Sequence, residues 1–363
     1  MTATSETGLG RDLGLELPPA LTGAGHSVRR FAGPDDYAGM AAANQRSRDA
    51  AGIEEVVTAE GMARDYSHLV NCELDRDLLV VEAARSIVGY ARVEWRDLED
   101  GTRGFRAIVM LEPAYAGSGL YGPMLQWAED RSIANARAIP ASERRPSSLR
   151  SSSFGAEVDL MAALEARGWT RSGHGYEMVR PDLDGIPDLP MPAGLEVRPI
   201  PPDRAALRQV WDAATDAFRD ERDEAEPTES DWEASLEDPL EDPSLWLIAF
   251  DGDEVAGGVH GRIDPTENAH HGRERGLVAA VYTRRAWRRR GLARALIARC
   301  LIRLRERGMT SAYLGVDGLN PNQATDLYAS LGFEVVSTSY DWTKPLPPDA
   351  GVVSTPAPAL ETK

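Results

Sequence analysis

The sequence predicts an α+β protein in which one unit, a mixed central sheet flanked by helices, is built twice in tandem. Three observations carry this. Landmark residues recur at a near-constant spacing. Apolar residues alternate between strand-like runs and a helical period. A glycine turn leads into a helix in each half. The 363 residues suffice for two domains of ordinary size, each with its own core. Apolar and charged fractions of 42% and 27% are those of a soluble globular chain.

The elements follow in order. Residues 1–26 lack periodicity and are expected to form a flexible tail. Residues 27–180 are the first copy, 181–194 a proline-rich linker, 195–346 the second copy, and 347–363 a second tail rich in Pro, Ala and Thr. Gly168-Trp169, with Tyr176, Arg180 and Pro181 after it, recurs as Gly332-Phe333 with Tyr340, Lys344 and Pro345, 164 positions on (168 to 332). Val28-Arg29 matches Val197-Arg198, and Leu79-Val80-Val81 leading to Gly89 matches Leu247-Ile248-Ala249 leading to Gly257. Gly119 matches Gly291, 172 positions on (119 to 291), which leaves eight extra residues in the first copy (172 less 164). Composition places them in Ala138 to Phe154, read as a polar loop.

Each copy reads strand, one or two helices, hairpin, strand, glycine turn, helix, strand, helix, strand. In the second copy Leu245 to Phe250 is a strand, Asp251-Gly252-Asp253 a turn and Val255 to Ile263 the return. The segment Leu292 to Arg307 sets Leu292, Leu296, Ile297, Cys300, Leu301 and Leu304 on one helical face and stops at Gly308.

Composition bounds the function. A net charge of −18 argues against nucleic acid or anionic membrane as the main partner. No apolar run approaches the roughly 20 residues of a membrane span, and no signal peptide is evident. Two cysteines, Cys72 and Cys300, exclude a disulfide framework and a cysteine-rich metal site, so the expected location is cytoplasmic and no metal is expected. Positive charge is concentrated: ten arginines lie between Arg284 and Arg307. The order strand Leu277 to Val281, glycine turn, helix suits a small polyanion, because free N–H groups and the helix dipole face it.

The run Arg288-Arg289-Arg290-Gly291-Leu292-Ala293 resembles the R-x-x-G-x-A acetyl-CoA motif of the GNAT acyltransferase superfamily. The order of elements is similar to the GNAT fold over nearly all of residues 27–346, and the whole looks like a tandem GNAT protein. The resemblance implies acetyl-CoA as acyl donor. Its pyrophosphate would sit on the amides of Arg290, Gly291, Leu292 and Ala293, with Arg288 opening the motif and Arg289 inside it. It also implies that Ala280, Val281 and Thr283 run beside the pantetheine arm, with one backbone N–H polarising the thioester carbonyl. The segment Asn320-Pro321-Asn322-Gln323-Ala324, followed by Leu327-Tyr328 and Leu331-Gly332-Phe333, is similar to the family's second signature. Tyr328 stands where many members place the acid that protonates the departing thiolate; the alternative is a core aromatic. Asn320 and Asn322 either touch the cofactor or cap the helix.

Acetyl transfer needs an uncharged amine, and candidate bases are Glu274, Asp317 and Asp264. The pair His270-His271 reads as part of a polar surface loop. In the first copy Ala116 stands in place of Arg288, Tyr121 in place of Ala293 and Leu164 in place of Tyr328. That copy reads as structural, the rival being cofactor binding retained through Gly117 and Gly119. The acidic segment around Asp216 and Asp220 to Glu233 either steers a cationic amine or is a solvated face. Trp232, Trp246 and Trp287 suit core packing better than an acceptor pocket.

The expected function is transfer of an acetyl group from acetyl-CoA to a primary amine of a small molecule, by direct attack, in the second copy. The expected assembly is a monomer or homodimer. The alternatives are a non-catalytic CoA-binding regulatory protein and a protein or peptide N-acetyltransferase.

Overall fold

The computed structural model describes residues 25–320, 324–350 and 352–353. The first half runs β1 (His26–Arg30), α1 (Asp36–Ala51), α2 (Ala59–Ser67), α3 (Leu74–Asp77), β2 (Leu78–Ala83), β3 (Ser86–Asp97), β4 (Arg103–Leu111), α4 (Tyr121–Ala138), β5 (Pro146–Phe154), α5 (Val158–Ala166) and β6 (Thr170–Arg180). The second half runs β7 (Glu196–Arg198), α6 (Arg204–Phe218), α7 (Glu229–Glu237), β8 (Trp246–Asp251), β9 (Glu254–Arg262), α8 (Pro265–His271), β10 (Arg275–Thr283), α9 (Leu292–Glu306), β11 (Ser311–Asp317), α10 (Ala324–Ala329) and β12 (Glu334–Pro345), with β13 (Val352–Val353) last. The α+β class and the mixed sheet flanked by helices are as the sequence predicts.

Local chemistry accounts for the helices. Asp203 caps α6 by accepting from the N–H groups of Ala205 and Ala206, and Thr228 with Asp231 forms a capping box on α7. Helix α9 buries Leu292, Leu296, Ile297, Cys300, Leu301 and Leu304, the apolar stripe of the sequence. Each such Leu or Ile contributes about 1.5–3 kcal/mol when fully buried. The helix stops because Gly308 takes a φ of 90°, so that its N–H meets Arg305 and the N–H of Met309 meets Leu304, a Schellman ending.

The strands form one sheet among the described residues, in the order β1-β2-β3-β4-β5-β12-β6-β11-β10-β9-β8-β7, with β13 beside β5. The last strands are exchanged. β12, from the second copy, pairs antiparallel with β5, while β6, from the first copy, pairs antiparallel with β11; β6 and β12 pair with each other at the centre. Trp342 of β12 is therefore buried in the first-half core, its indole N–H donating to Ser153 Oγ at 2.8 Å. Met178 of β6 is buried in the second-half core.

Two sequence expectations are corrected. The polar segment Ala138 to Phe154 is not all loop, because Pro146–Phe154 is strand β5. Its buried positions alternate through Ser147, Leu149, Ser151 and Ser153, and serines satisfied within the sheet hide the strand pattern (Ser151 Oγ donates to the Ala107 carbonyl at 2.9 Å). Past Pro345 the chain stays against the first half: Ala350 is buried, Asp349 pairs with Arg137, and Val352–Val353 run parallel to Pro146-Ser147. Residues 1–24 of the expected first tail lie outside the described residues.

Because a second-copy side chain fills the first-half core, Trp342→Ala is expected to cost about 3–5 kcal/mol. Both halves should lose stability together. Urea unfolding followed by far-UV circular dichroism and by hydrogen exchange in α9 measures this; an α9 that keeps its wild-type protection contradicts the shared sheet.

Candidate active site

The second half carries a local distortion in β10. The β9–β10 ladder pairs Ala279 with His260 and then jumps to Tyr282 opposite Gly258, which leaves Ala280 and Val281 in a bulge. Ala280 has a φ of 39°, an unusual conformation for a residue with a Cβ. Space for the distortion comes from Gly258, where an added Cβ would lie 2.6 Å from the Tyr282 hydroxyl. On its other edge β10 pairs in parallel with β11 only from Arg275 to Leu277. Beyond that point the two strands have no shared ladder, so the backbone from Val278 to Thr283 faces an opening between them.

Past Thr283 the chain makes the arginine-rich turn. Arg289 has a φ of 61° and Gly291 a φ of 83°, and α9 begins at Leu292. Left-handed residues next to a helix start gather amide groups into an anion-binding nest. The arginines divide into two sets. Arg284 donates to Asp216 at 2.8 Å; Arg285 and Arg288 donate to Asp220 at 2.7 and 2.8 Å. Arg288 also donates to the carbonyls of Thr283, at 2.9 Å, and Ala217, at 3.0 Å. Its guanidinium thus ties the turn to the end of α6. Hydrogen bonds from Arg285 and then Arg288 hold the Asp220 carboxyl down at about 2. Arg289, Arg290 and Arg294 are exposed and have no ion-pair partner among the described residues.

Tyr328, on α10, is only 7% exposed, and its hydroxyl has no hydrogen-bond partner among the described residues. Burial, and secondarily the charge of Glu221, raise its pKa, so the phenol holds its proton. Glu221 accepts from Asn320 Nδ2 at 3.3 Å. Burial and the neighbouring charge of Asp317 raise the Glu221 carboxyl, while Arg288 opposes them. Asn320, Asp317, Glu221, Arg288 and Tyr328 are thus brought to the open end between β10 and β11. Asn322 lies outside the described residues.

The other sequence candidates lie elsewhere. Glu274 is exposed just before β10, at the far end of that strand from the arginine turn, and its carbonyl accepts from Thr310. Asp264 caps α8 through the N–H groups of Thr266 and Glu267. His270 and His271 end that helix rather than lying in a loop, and His271 Nε2 contacts the Glu54 carbonyl at 2.7 Å. Trp232, Trp246 and Trp287 are buried, Trp287 donating to Asp251 at 2.9 Å. Asp216 and Asp220, read as part of an acceptor surface, are occupied by the arginine turn.

The sequence reading includes Glu224 in the acidic segment but does not single it out. Its carboxyl is pushed up to about 7, by burial first and then by the charges of Glu221 and Glu99. The charge run that contains it looks solvated, whereas Glu224 is half-buried where the loop meets the β3–β4 hairpin. A cavity of about 690 Å³ opens beside this loop at the seam of the two halves. It is lined by Glu94, Arg106 and Arg150 from one side, Tyr176 and Asp341 from the exchanged strands, and Asp317 from β11.

The equivalent place in the first half keeps the glycine turn and little else. β4 runs against β3 in unbroken register from Gly89–Leu111 to Asp97–Arg103, without a bulge. Gly119 keeps the left-handed turn, with a φ of 81°, but Tyr121 is buried and Leu164, at the position of Tyr328, is fully enclosed.

Comparison with known proteins agrees with this geometry. The sequence model of the acetyltransferase (GNAT) family matches residues 207–333. The mycothiol acetyltransferase of Kineococcus radiotolerans is 30% identical over 260 residues, covering 70% of this chain and 77% of that protein. A GCN5-related N-acetyltransferase from Sphaerobacter thermophilus superimposes with a TM-score of 0.65 at 22% identity, covering 91% of this chain and 96% of that one. A tandem GNAT protein from the clavulanic acid biosynthesis pathway gives 0.59 at 16% identity, covering 88% and 98%. The chain belongs to the GNAT acetyltransferase family. It is an N-acetyltransferase of the tandem type. Among the described residues no helix is long and apolar enough to cross a membrane.

The unpaired arginines give a first test of ligand contact. Arg289→Ala with Arg290→Ala is expected to weaken CoA binding about tenfold, at up to 1 kcal/mol for each exposed ion pair, and to flatten its salt dependence. Calorimetric titration at two ionic strengths measures it; unchanged affinity removes both side chains from the site.

Proposed function

We propose that the second half transfers an acetyl group from acetyl-CoA to a primary amine of a small, hydrophilic molecule, by direct attack. One observation carries the reading. The bulge at Ala280, a second left-handed residue at Arg289 beside Gly291 and the unpaired arginines occur together in the second half, whereas the first half keeps only the left-handed glycine, Gly119. The match of the family sequence model to residues 207–333 supports the same half.

In this reading the diphosphate rests on the amides of Arg290 to Ala293, with Arg289 and Arg290 supplying charge. Arg288 acts by holding the turn. The pantetheine arm lies along Ala280, Val281 and Thr283, on the edge of β10 that is no longer paired with β11, and an N–H there stabilises the developing oxyanion. Asn320 lies near the acyl end, and Tyr328 gives its proton to the departing thiolate. The phenol and the thiolate differ modestly in proton affinity in water, so proximity decides whether the transfer is useful. The polar seam cavity suits a hydrophilic acceptor, and the relatives named mycothiol acetyltransferases make mycothiol-type amines the first acceptors to assay.

The test is thiol release from acetyl-CoA against a panel of primary amines that includes amino sugars and basic peptides. A small amine should be turned over in preference to peptides; acetylation of peptides alone contradicts the reading. Tyr328→Phe is expected to lower kcat about 100-fold with little change in acetyl-CoA affinity, the usual size of general acid–base help. A variant as fast as wild type removes Tyr328 from the mechanism.

A further inference from the structure

One carboxylate of the polar seam cavity has no counter-ion. Both halves supply walls to this cavity of about 690 Å³, and the half-buried Glu177 of β6 lines it. Most charged groups around it are paired. Glu94 meets Arg92 at 3.3 Å, Asp341 meets Arg222 at 2.7 Å, Asp317 meets Arg222 at 3.5 Å, and Asp223 meets Arg150 and Arg222. Glu177 makes no hydrogen bond and no ion pair among the described residues. The charged groups acting on it are Glu54, Glu267, Arg273 and Arg275. Those arginines are occupied, Arg273 by Glu54 and by Glu267 at 2.6 Å, and Arg275 by Glu54. Two cations against two carboxylates leave Glu177 as excess negative charge.

Strand register sets this carboxylate level with the distorted part of β10. Glu177 stands opposite Ser337 of β12 on one side and Gly315 of β11 on the other. Opposed residues share a face of the sheet, so both neighbours of Glu177 on its face are small. An added Cβ at Gly315 would meet nothing within 4 Å, so the space beside the carboxylate is open. Tyr313 pairs with Leu277, and two residues on Gly315 comes level with Ala279, next to the Ala280 bulge. The opening between β10 and β11 separates them. Adjacent strands lie about 5 Å apart, so a small group resting over Gly315 reaches both the Glu177 carboxylate and that opening.

We propose that Glu177 binds the ammonium group of the acceptor over Gly315, so that a strand of the first copy completes the acceptor site of the second. The inference rests on the acetyl-transfer reading above and adds to it a specificity-determining residue. The ligand class is a small primary ammonium compound, and an uncharged or anionic acceptor gains nothing from this contact. An ion pair in a half-buried cavity is screened less by salt and solvent than one on an open surface. Burial already raises the bare Glu177 carboxyl above the ordinary carboxylate value, and a bound cation favours the ionised form.

A purely structural glutamate would be bonded. Glu129 receives Arg167, Trp169 and Lys344, and Glu267 receives Arg273 and Tyr313. The duplication supplies a closer control. The position 164 residues on from Glu177 (177 to 341) is Asp341, on the other exchanged strand, and Asp341 has its cation in Arg222. The same place in the two copies thus carries a carboxylate, one neutralised within the protein and one left free. Nor does strand formation call for a glutamate in the middle of a central strand, where β-branched and aromatic residues fit best.

The experiment uses the full chain, acetyl-CoA and two small amines. Ethylamine is an ammonium at neutral pH, whereas hydroxylamine is uncharged. Glu177→Gln keeps the shape of the side chain and removes its charge. It is expected to raise the ethylamine KM at least about tenfold, the scale of a hydrogen bond to a charged group, with the acetyl-CoA KM and the hydroxylamine kinetics near wild type. An unchanged ethylamine KM, or an equal rise for both amines, overturns the proposal. Gly315→Leu fills the open space and should raise the ethylamine KM while CoA affinity, measured by calorimetry, is kept; an unchanged KM overturns the placement over Gly315. Carbon-13 spectra of the glutamate carboxyls in the CoA complex decide the contact without turnover. The resonance that disappears in Glu177→Gln should shift as ethylammonium chloride is added and stay in place with equimolar sodium chloride; indifference to ethylammonium overturns the proposal. A wild-type chain that shows this shift yet acetylates no amine overturns the acetyl-transfer reading instead.

Discussion

Backbone pairing between β6 and β12 is the constraint on which the rest of the molecule depends. Each of these strands ends one copy and completes the sheet of the other, so the two halves share a continuous ladder. A single hydrogen bond in such a ladder adds only about 1 kcal/mol net. Side chains supply the larger part: Trp342 is buried in one core and Met178 in the other. The exchange fixes how the halves meet. It opens the polar cavity at their seam and sets the β3–β4 hairpin against the α6–α7 loop. Geometry at the candidate site is thus a consequence of pairing some distance from it.

Electrostatics at the arginine turn follows a similar division of labour. The sequence shows a block of positive charge in an acidic chain, and the fold sorts it. Arg284, Arg285 and Arg288 are neutralised by Asp216 and Asp220, and their bonds hold the turn against α6. Arg303, Arg305 and Arg307 reach the carbonyl of Ser244, the carbonyl of Leu183 and the hydroxyl of Ser244. Charge available to a ligand comes from Arg289, Arg290 and Arg294, which stand at the start of α9 where the helix dipole already favours an anion. A helix start crowded with unpaired cations is unfavourable by itself, and an anion relieves it.

The duplication, the hairpin of the second copy, helix α9 and the strand–turn–helix order were legible because each depends on local periodicity or on a glycine. Strand exchange was not, since β6 and β12 carry the same landmark pattern whichever sheet they complete. Strand β5 was hidden by serines that the sheet satisfies internally. At the site, the turn from Arg288 to Ala293 and the helix carrying Tyr328 were visible as motifs, but the direction of a guanidinium was not. Arg288 points into the protein while its neighbours point out. The bulge left no mark either, because Ala280 adopts a positive φ without the glycine or asparagine that usually announces one. Glu221 and Glu224 looked like part of a solvated acidic run, whereas partial burial raises both carboxyls.

That last point bears on what the first half contributes. It has a regular β4, no arginine at Ala116, a buried Tyr121 and an enclosed Leu164. A purely structural half would need only to supply β5 and β6 to the common sheet. Yet the hairpin tip, Arg96, Glu99 and Arg150 all converge on the loop that carries Glu221 and Glu224. Strain is gathered in the same region: of the six non-glycine residues with positive φ among those described, Asp223, Ala280 and Arg289 belong to the site or its loop. Each such conformation costs on the order of 1–3 kcal/mol and persists only where surrounding contacts over-determine it. For Asp223 those contacts come from the first half. The first half therefore stabilises a loop conformation that the second half does not hold alone, which is a reason for the two to remain one polypeptide.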